Sequence, residues 1–426
     1  MTILVFLVSL LGAMALGIPI AFSLLISGAA LMVQMNMWDS QILAQNVMEG
    51  ANSFPLLAVP FFMLAGEVMN VGGLSKRIVN LALALVGHIP GGLGYVAIVA
   101  ACIMAALSGS AVADAAALSA LLLPMMVAAG HDKGRSAGLI ASAGIIAPII
   151  PPSIAFIIFG VAANVSISKL FLAGIVPGLM LGGALWITWW ILVRKDKITP
   201  PPRKTVAEVD FAFKQSALAL VLPVIVVGGL KFGVFTPTES AVVAAMYALL
   251  VSIFVYGEIK IKDLMPIFVS AAKTSAVVMF LVAAAMVSAW MITVAQLPAQ
   301  LTALLQPLLD SPRLLMFCIM VIVMIVGTAM DMTPTILILT PVLMPLIKAA
   351  GIDPVYFGVL FIINNAIGLV TPPVGTVLNT VAGVGKVSMD EVTKGVLPFM
   401  FAQFVLLFLM VLFPQLVIWP AKFLGG

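Results

Sequence analysis

Charge is what this sequence has least of. Of 426 residues, 8% are Asp, Glu, Lys or Arg, against about 25% in a typical soluble domain. The 20 basic and 16 acidic side chains are too few to clothe a soluble protein of this length. The same scarcity excludes a disordered chain and a nucleic-acid surface. Cysteine is scarcer still. Cys102 and Cys318 both lie in apolar runs, so they read as small buried hydrophobes rather than a disulfide or metal pair. The two histidines, His88 and His131, each follow a glycine in a connecting segment, which argues against a zinc site or a histidine-based active site. No Gly-x-Ser-x-Gly, His-Glu-x-x-His or phosphate-binding loop occurs. Gly91-Gly92-Leu93-Gly94 lacks the lysine of a phosphate cradle. The expectation is a protein that is not an enzyme, not an ATP-driven pump, and has no cofactor.

What the chain does have is apolar sequence. Hydrophobic residues make up 63% of it, enough for roughly 13 spans at ~20 residues each. The runs are continuous rather than alternating, which excludes a β-barrel. The fold class is therefore an all-α polytopic membrane protein. The first 38 residues carry no charged side chain; without a basic n-region they read as a retained first helix over about 3–33, not a signal peptide. Apolar segments near 93–107, 110–129, 135–150 and 153–164 are short and broken by Ser-Gly-Ser, Gly or Pro-Pro. Such lengths suggest re-entrant helical hairpins and broken helices rather than full crossings. The basic stretch from Arg194 to Lys204 divides the chain into halves and reads as a cytoplasmic connecting loop. Trp186, Trp189 and Trp190 precede it and read as an interfacial belt. Thr236-Pro237-Thr238-Glu239 reads as a capping box, with Thr236 at N-cap, Pro237 at N1 and Glu239 at N3.

Internal repetition carries the most information. Shifting residues 118–177 by 221 places Pro124 on Pro345 and Ala128-Ala129-Gly130 on Ala349-Ala350-Gly351. It also places Asp132 on Asp353, Pro151-Pro152 on Pro372-Pro373, and Pro177 on Pro398. The chain therefore contains two structural repeats. Whether they are inverted depends on the parity of crossings between them, which the segments do not fix; inversion is the common transporter design and the expectation here.

Chemistry concentrates at the interruptions. Leu107-Ser108-Gly109-Ser110-Ala111 suits a hairpin tip, where free backbone groups and Ser oxygens bind ions. Its repeat equivalent is Gly327-Thr328-Ala329-Met330-Asp331. Each Pro-Pro removes two amide donors and strands carbonyls a turn earlier. In lipid those carbonyls need a partner, and a hard cation such as Na+ is one. The Ala147 and Ile150 carbonyls, and the Gly368 carbonyl with Thr371, are candidates; a proline kink satisfied by neighbouring helices is the plainer reading. Asn164, Asn364, Asn365, Thr376, Asn379 and Thr380 are polar groups in apolar sequence. They either line an internal site or act as helix–helix hydrogen-bond glue. Asp114 and Asp331 lie closest to the tips; each is a helix cap or an ion or proton site.

Several stretches together resemble a known family. They are Pro60-Phe61-Phe62-Met63-Leu64-Ala65-Gly66-Glu67, Gly72-Gly73-Leu74-Ser75-Lys76-Arg77-Ile78, Leu107-Ser108-Gly109-Ser110, Ile149-Ile150-Pro151-Pro152-Ser153-Ile154, Gly233-Val234-Phe235-Thr236-Pro237-Thr238-Glu239 and Gly368-Leu369-Val370-Thr371-Pro372-Pro373-Val374-Gly375. Over essentially the whole chain the sequence is similar to the large membrane (DctM-like) subunit of tripartite ATP-independent periplasmic (TRAP) transporters. The resemblance implies a multi-pass protein of the bacterial inner membrane, importing small organic acids by an elevator mechanism driven by Na+. It implies two partners, a small four-helix membrane subunit and a soluble periplasmic binding protein that delivers the substrate. Carried over residue by residue, it implies Na+ ligands at Ser108, Ser110, Ala147, Ile150 and Pro152 in one half. In the other they are Gly327, Gly368, Thr371 and Val374. The substrate is expected between the tips, among Ser108, Asn164, Asn364, Asn365, Thr376 and Asn379. After Pro372-Pro373-Val374-Gly375 the chain reads Thr376-Val377-Leu378-Asn379, where many members read Gly-Leu-Asn. A sugar acid is therefore as plausible as a C4-dicarboxylate.

The expected division is 1–90 for scaffold helices, 91–180 for the first transport repeat, and 181–311 for linker and further scaffold. The second transport repeat is 312–400, and a C-terminal helix occupies 401–426. The alternative is a stand-alone, proton-coupled elevator-type transporter using Asp114 or Asp331. A channel or a non-transporting scaffold is a third class.

Overall fold

The computed structural model describes residues 2–194, 196, 200–304 and 306–425. Lys195 and Lys197 of the basic stretch lie outside the described residues. Among the described residues every regular element is helical.

The chain opens with α1 (Thr2–Ala15), α2 (Ile20–Gln34) and α3 (Ser40–Ala51). The expected single first helix is thus two. Gly17 takes a φ of +79° between them, and Pro19 precedes α2, so the helix cannot continue. Next come α4 (Ala58–Val71), entered through a tight turn at Phe54–Leu57, and α5 (Leu74–Val86). The first repeat is α6 (Gly92–Ser108), α7 (Ala111–Ala128), α8 (Lys133–Gly144), α9 (Ile154–Ala163) and α10 (Ile167–Val193). Connecting helices are α11 (Val206–Lys231), α12 (Pro237–Leu250), α13 (Ile261–Val294), α14 (Leu297–Leu304) and α15 (Gln306–Leu309). The second repeat is α16 (Pro312–Ala329), α17 (Met332–Ala349), α18 (Pro354–Gly368), α19 (Thr376–Gly385) and α20 (Met389–Leu412), and α21 (Gln415–Gly425) closes the chain. The boundaries expected at 180/181 and 400/401 fall inside α10 and α20. Nine described helical segments are long and apolar enough to cross a membrane. The Thr236 capping box is formed, with Oγ1 accepting from the Glu239 amide and the Glu239 carboxylate accepting from the Thr236 amide.

The two repeats correspond element by element. A shift of 221 carries the bounds of α7 onto those of α17 and the start of α8 onto that of α18. Just beyond the Pro-Pro breaks the ungapped register slips by one residue, and it returns to 221 at Pro177 and Pro398 inside α10 and α20. The N-cap Ser153 of α9 corresponds to Gly375, its C-cap Asn164 to Lys386, and the N-cap Ser166 of α10 to Ser388. Asn164 and Lys386 share left-handed φ values of 53° and 50°. The extra residue lies between Pro373 and Gly375.

The repeats are inverted. Both ends of the α6–α7 hairpin meet the C-terminal end of α10. Trp189 Nε1 donates to the Gly91 carbonyl at 2.9 Å, the His131 ring lies 5.5 Å from that of Trp189, and Arg135 pairs with Asp196 at 3.1 Å. The hairpin therefore enters and leaves on one side. The α16–α17 hairpin ends at the opposite side, where Asp353 shares a pocket with Lys169 at the start of α10. Helix α20 runs antiparallel to α10. Near its start Pro398 shares a pocket with Leu192, and near its end the Met410 carbonyl accepts from Tyr356 Oη at 3.0 Å. The halves also interlock: α7 packs on α19, and α17 packs on α9. Trp189 is fully buried under the first hairpin and half-buried Trp186 packs on Tyr95, so of the expected tryptophan belt only Trp190, over which Arg194 stacks, is exposed.

Candidate functional site

Each hairpin tip sits on the break of a broken helix. Ser108 ends α6, Gly109 turns with a φ of +62°, and Ser110 caps α7. A Cβ on Gly109 would stand 2.4 Å from the Pro152 carbonyl oxygen, so only glycine allows this approach. The tip is held from within. Ser108 Oγ donates to Asp114 Oδ1 at 2.5 Å and accepts from the Ser110 amide at 3.2 Å. Asp114 is buried, and its second carboxylate oxygen has no hydrogen-bond partner among the described residues. It braces the tip, while the capping role falls to Ser110.

The break beneath this tip runs from Ile145 to Ser153. Irregular turns replace helix there, and Ser153 Oγ donates to the Pro148 carbonyl. Among the described residues no donor reaches the Ala147, Ile150 or Pro152 carbonyls. Ala147 and Ile150 are buried. The structure thus sets the Ser108–Gly109–Ser110 tip on Pro152 through Gly109, with Ala147 and Ile150 in the same break.

The second tip is built alike but lies more open. Gly327 and Gly368 touch backbone to backbone: a Cβ on Gly368 would lie 2.8 Å from the Gly327 carbonyl oxygen. The Gly368 carbonyl accepts from the Thr371 amide at 3.0 Å. Thr371 Oγ1 donates to the Ile367 carbonyl at 2.8 Å and keeps its lone pairs free. Asp331 stands at the N-cap position of α17, where its side chain makes no capping hydrogen bond among the described residues and instead accepts from Thr376 Oγ1 at 3.3 Å. The Val374 carbonyl accepts from Asn379 Nδ2 at 2.7 Å, and both residues are exposed.

The remaining amides separate. Asn364 donates to the Met320 carbonyl on α16 at 2.6 Å, and Asn365 to the Phe361 carbonyl at 2.8 Å. Both are buried, and each keeps an unpartnered Oδ1. Asn164 lies elsewhere. It ends α9 and lines a pocket with Ser53, Phe54 and Thr236–Thr238, the length of α9 away from the first break. Its left-handed backbone accounts for an asparagine there.

Sequence reading missed a glycine stripe. Gly174, Gly178 and Gly182 recur every fourth residue along α10. Their Cβ positions would meet the Ile149 carbonyl at 2.4 Å, Ile150 Cγ1 at 2.4 Å and Cys102 Sγ at 2.8 Å. The stripe lets the first break lie flat against α10. Gly134 and Gly138 on α8 do the same against Gly395 of α20. Gln403 was also missed: fully buried on α20, it donates from Nε2 to the Ser142 carbonyl near the end of α8 at 3.0 Å. The signal for the glycines was their spacing of four; for Gln403 it was an amide amid apolar α20.

The family described as "Tripartite ATP-independent periplasmic transporter, DctM component" matches residues 7–416. The chain belongs to that family. It is 57% identical over 425 residues to the 2,3-diketo-L-gulonate TRAP transporter large permease protein YiaN of Escherichia coli, covering 100% of both chains. It is 55% identical over 424 residues, again 100% of both, to a putative TRAP transporter large permease protein of Haemophilus influenzae. The fold is similar to the Alcanivorax borkumensis YdaH transporter, with a TM-score of 0.66, 15% identity, and coverage of 92% and 91%. As a TRAP large permease subunit the protein resides in the bacterial inner membrane, and its family works with a small membrane subunit and a periplasmic binding protein. Among the described residues no cluster of His, Cys, Asp and Glu is arranged to hold a metal; backbone carbonyls and hydroxyls are the oxygen donors the breaks present.

Proposed function

We propose that this subunit imports a sugar acid, driven by Na+ and moving as an elevator. The observation that carries the reading is the pair of tip-on-break contacts, Gly109 on Pro152 and Gly327 on Gly368. Each joins a hairpin to unwound backbone with oxygen atoms to offer, and the inverted repeats set the two in related positions. Na+ takes its ligands from Ser108, Ser110, Ala147, Ile150 and Pro152 at the first break. At the second they are Gly327, Gly368, Thr371 and Val374. These ligands come from separate helices, so ion binding fixes the tips and completes an organic-anion site between them, which Ser108, Thr376 and Asn379 border. Asn364 and Asn365 support that site from α18.

The basic end, with Arg135, Arg194 and Lys204, is cytoplasmic by the positive-inside rule. The two repeats then move together against α4, α12 and α13. Na+ gives direction only if it binds the outward and inward states unequally. The sugar-acid reading rests on the 57% identity to a permease named for 2,3-diketo-L-gulonate.

The test is uptake into proteoliposomes holding this chain with its small subunit, the matching binding protein and an inward Na+ gradient. Labelled sugar acids and C4-dicarboxylates are offered side by side. Accumulation of a sugar acid that stops without Na+ or without the binding protein is the expected result. Ser108→Ala and Thr371→Ala raise the Na+ concentration for half-maximal uptake. Uptake driven by pH alone, with no binding protein, would replace this reading with a stand-alone proton-coupled transporter.

A further inference from the structure

The two hairpins begin their second helices differently. A shift of 221 places Ser110 on Asp331, and both stand at N-cap positions. Ser110 Oγ accepts from the amide of Ala113, the third residue of α7, at 3.4 Å. The third residue of α17 is Pro334, which has no N–H to offer a cap. The Asp331 side chain reaches instead across the break, where Oδ1 accepts from Thr376 Oγ1 at the start of α19.

This carboxylate lies at membrane depth and is unpaired. Its hairpin meets α18 at Gly368, the last of the 15 residues of that helix and about 21 Å from its first. The hydrocarbon core is about 30 Å thick. Asp331 is exposed, and no Lys, Arg or His pairs with it among the described residues. An exposed charge at this depth faces a water-filled space. Thr376 and Asn379, three apart on α19, share one face. Asn379 Nδ2 donates to the Val374 carbonyl, and its Oδ1 has no donor among the described residues. The groups left over are mainly acceptors: Asp331 Oδ2, Asn379 Oδ1 and the Thr376 lone pairs.

The start of α19 is level with the first tip. A Cβ on Gly385 would stand 2.4 Å from Leu123 Cδ2 and 3.2 Å from Ser119 Oγ on α7. The two helices pack together and run toward the same end, where Lys133 Nζ donates to the Lys386 carbonyl. Thr376 is the first and Gly385 the last of the 10 residues of α19. The same length back along α7 reaches residues 110–114.

We propose that Asp331 selects the substrate: it accepts hydrogen bonds from the hydroxyls of a sugar acid farthest from its carboxylate, and it repels a second carboxylate placed there. The proposal rests on the sugar-acid reading above. Hydroxyls are donors and match the acceptors of Asp331, Thr376 and Asn379, whereas an ionised carboxylate has no proton to give. The single carboxylate of the substrate then lies toward the first tip, where the amides of Ala111 and Val112 have no partner among the described residues.

The experiment measures equilibrium binding to the purified chain with its small subunit, in Na+ and without the binding protein, so that selection is the permease's own. The probes are a panel of six-carbon sugar acids, an analogue of the best-bound one that lacks the hydroxyls farthest from the carboxylate, and succinate. Wild type binds the sugar acid about tenfold or more tightly than the deoxy analogue. Asp331→Asn and Asp331→Ser bring the two within about threefold and tighten succinate by about tenfold, because a like charge is gone. Asp390→Asn, at the exposed start of α20, changes neither. Equal binding of the sugar acid and its deoxy analogue by wild type, or a wild-type ratio in both Asp331 variants, would overturn the role and leave the sugar-acid reading intact. A raised Na+ requirement at an unchanged ratio would assign Asp331 to the ion instead. A wild-type complex that prefers succinate, or binds no sugar acid, would overturn the sugar-acid reading and this role with it.

Discussion

Gly368 and Gly327 meet with no side chain between them, the Cα of one 3.5 Å from where a Cβ on the other would stand. This contact joins the second hairpin to the second break. A Cβ on Gly368 would come within 2.8–3.1 Å of the Gly327 carbonyl group and Cα, all backbone atoms that cannot rotate away. Gly368→Ala is expected to cut Na+-driven uptake by about tenfold or more, as reacting geometry there is displaced by a large fraction of an ångström. Gly383→Ala, with nothing within 4 Å, is the control and retains uptake. Equal activity in both would mean the hairpin is not seated on the break during transport.

Gly138 makes a second such contact, here across the two repeats. Its Cβ would stand 2.2 Å from the Gly395 carbonyl carbon and 2.4 Å from the Val396 amide nitrogen. Gly138→Val forces α8 and α20 apart. The expected cost is about 1–3 kcal/mol, read as a lower thermal midpoint of the purified protein in detergent. Gly183→Val, facing open space, leaves the midpoint near wild type. A Gly138→Val protein as stable as the Gly183→Val control would show that α8 and α20 separate freely.

The Gln403 amide is the polar counterpart of that glycine contact. Helix α8 ends at Gly144, so its last carbonyls have no partner within the helix. Gln403 supplies one donor to Ser142 from the other repeat. Gln403→Met keeps the volume and removes the donor. Stability is expected to fall by about 1–3 kcal/mol, the cost of a buried carbonyl left unsatisfied. Because the first break begins just beyond Gly144, the Na+ concentration for half-maximal uptake is also expected to rise. A change in midpoint without a change in Na+ dependence would confine Gln403 to holding the helices together.

Much of this architecture was legible in the sequence because proline and glycine act locally. Pro151-Pro152 and Pro372-Pro373 mark both breaks, Ser108-Gly109-Ser110 marks the first tip, and Thr236 with Glu239 marks a helix start. Each follows from a residue's own backbone or side chain. Inversion was not legible, since it depends on which end of α10 each hairpin reaches, a contact between Gly91 and Trp189 on one side and a shared pocket of Asp353 and Lys169 on the other. The one-residue insertion after Pro373 was hidden because apolar residues match one another in either register; the caps Ser166 and Ser388 reveal it. Asn164, Asn364 and Asn365 looked equivalent as polar residues in apolar sequence. Burial separates them: α18 is enclosed by its neighbours, whereas Asn164 sits at the exposed end of α9.

His131 ties the base of the first hairpin to pH. The imidazole is buried beside Trp189, and its Nδ1 has no hydrogen-bond partner among the described residues. Burial pushes its pKa below the ordinary value; Asp196 pulls it back up, and Arg135 adds to the depression. The folded protein therefore holds this histidine neutral more strongly than the unfolded chain does. A depressed histidine pKa gives stability that is fully present above the unfolded value, about 6.5, and is lost as pH falls toward the folded value. The thermal midpoint is expected to drop between pH 7 and the acid side of that window. His131→Phe keeps a ring against Trp189 and has no proton to gain, so its midpoint falls less over the same range. Parallel curves for the two proteins would mean that protonation of His131 does not loosen the hairpin base.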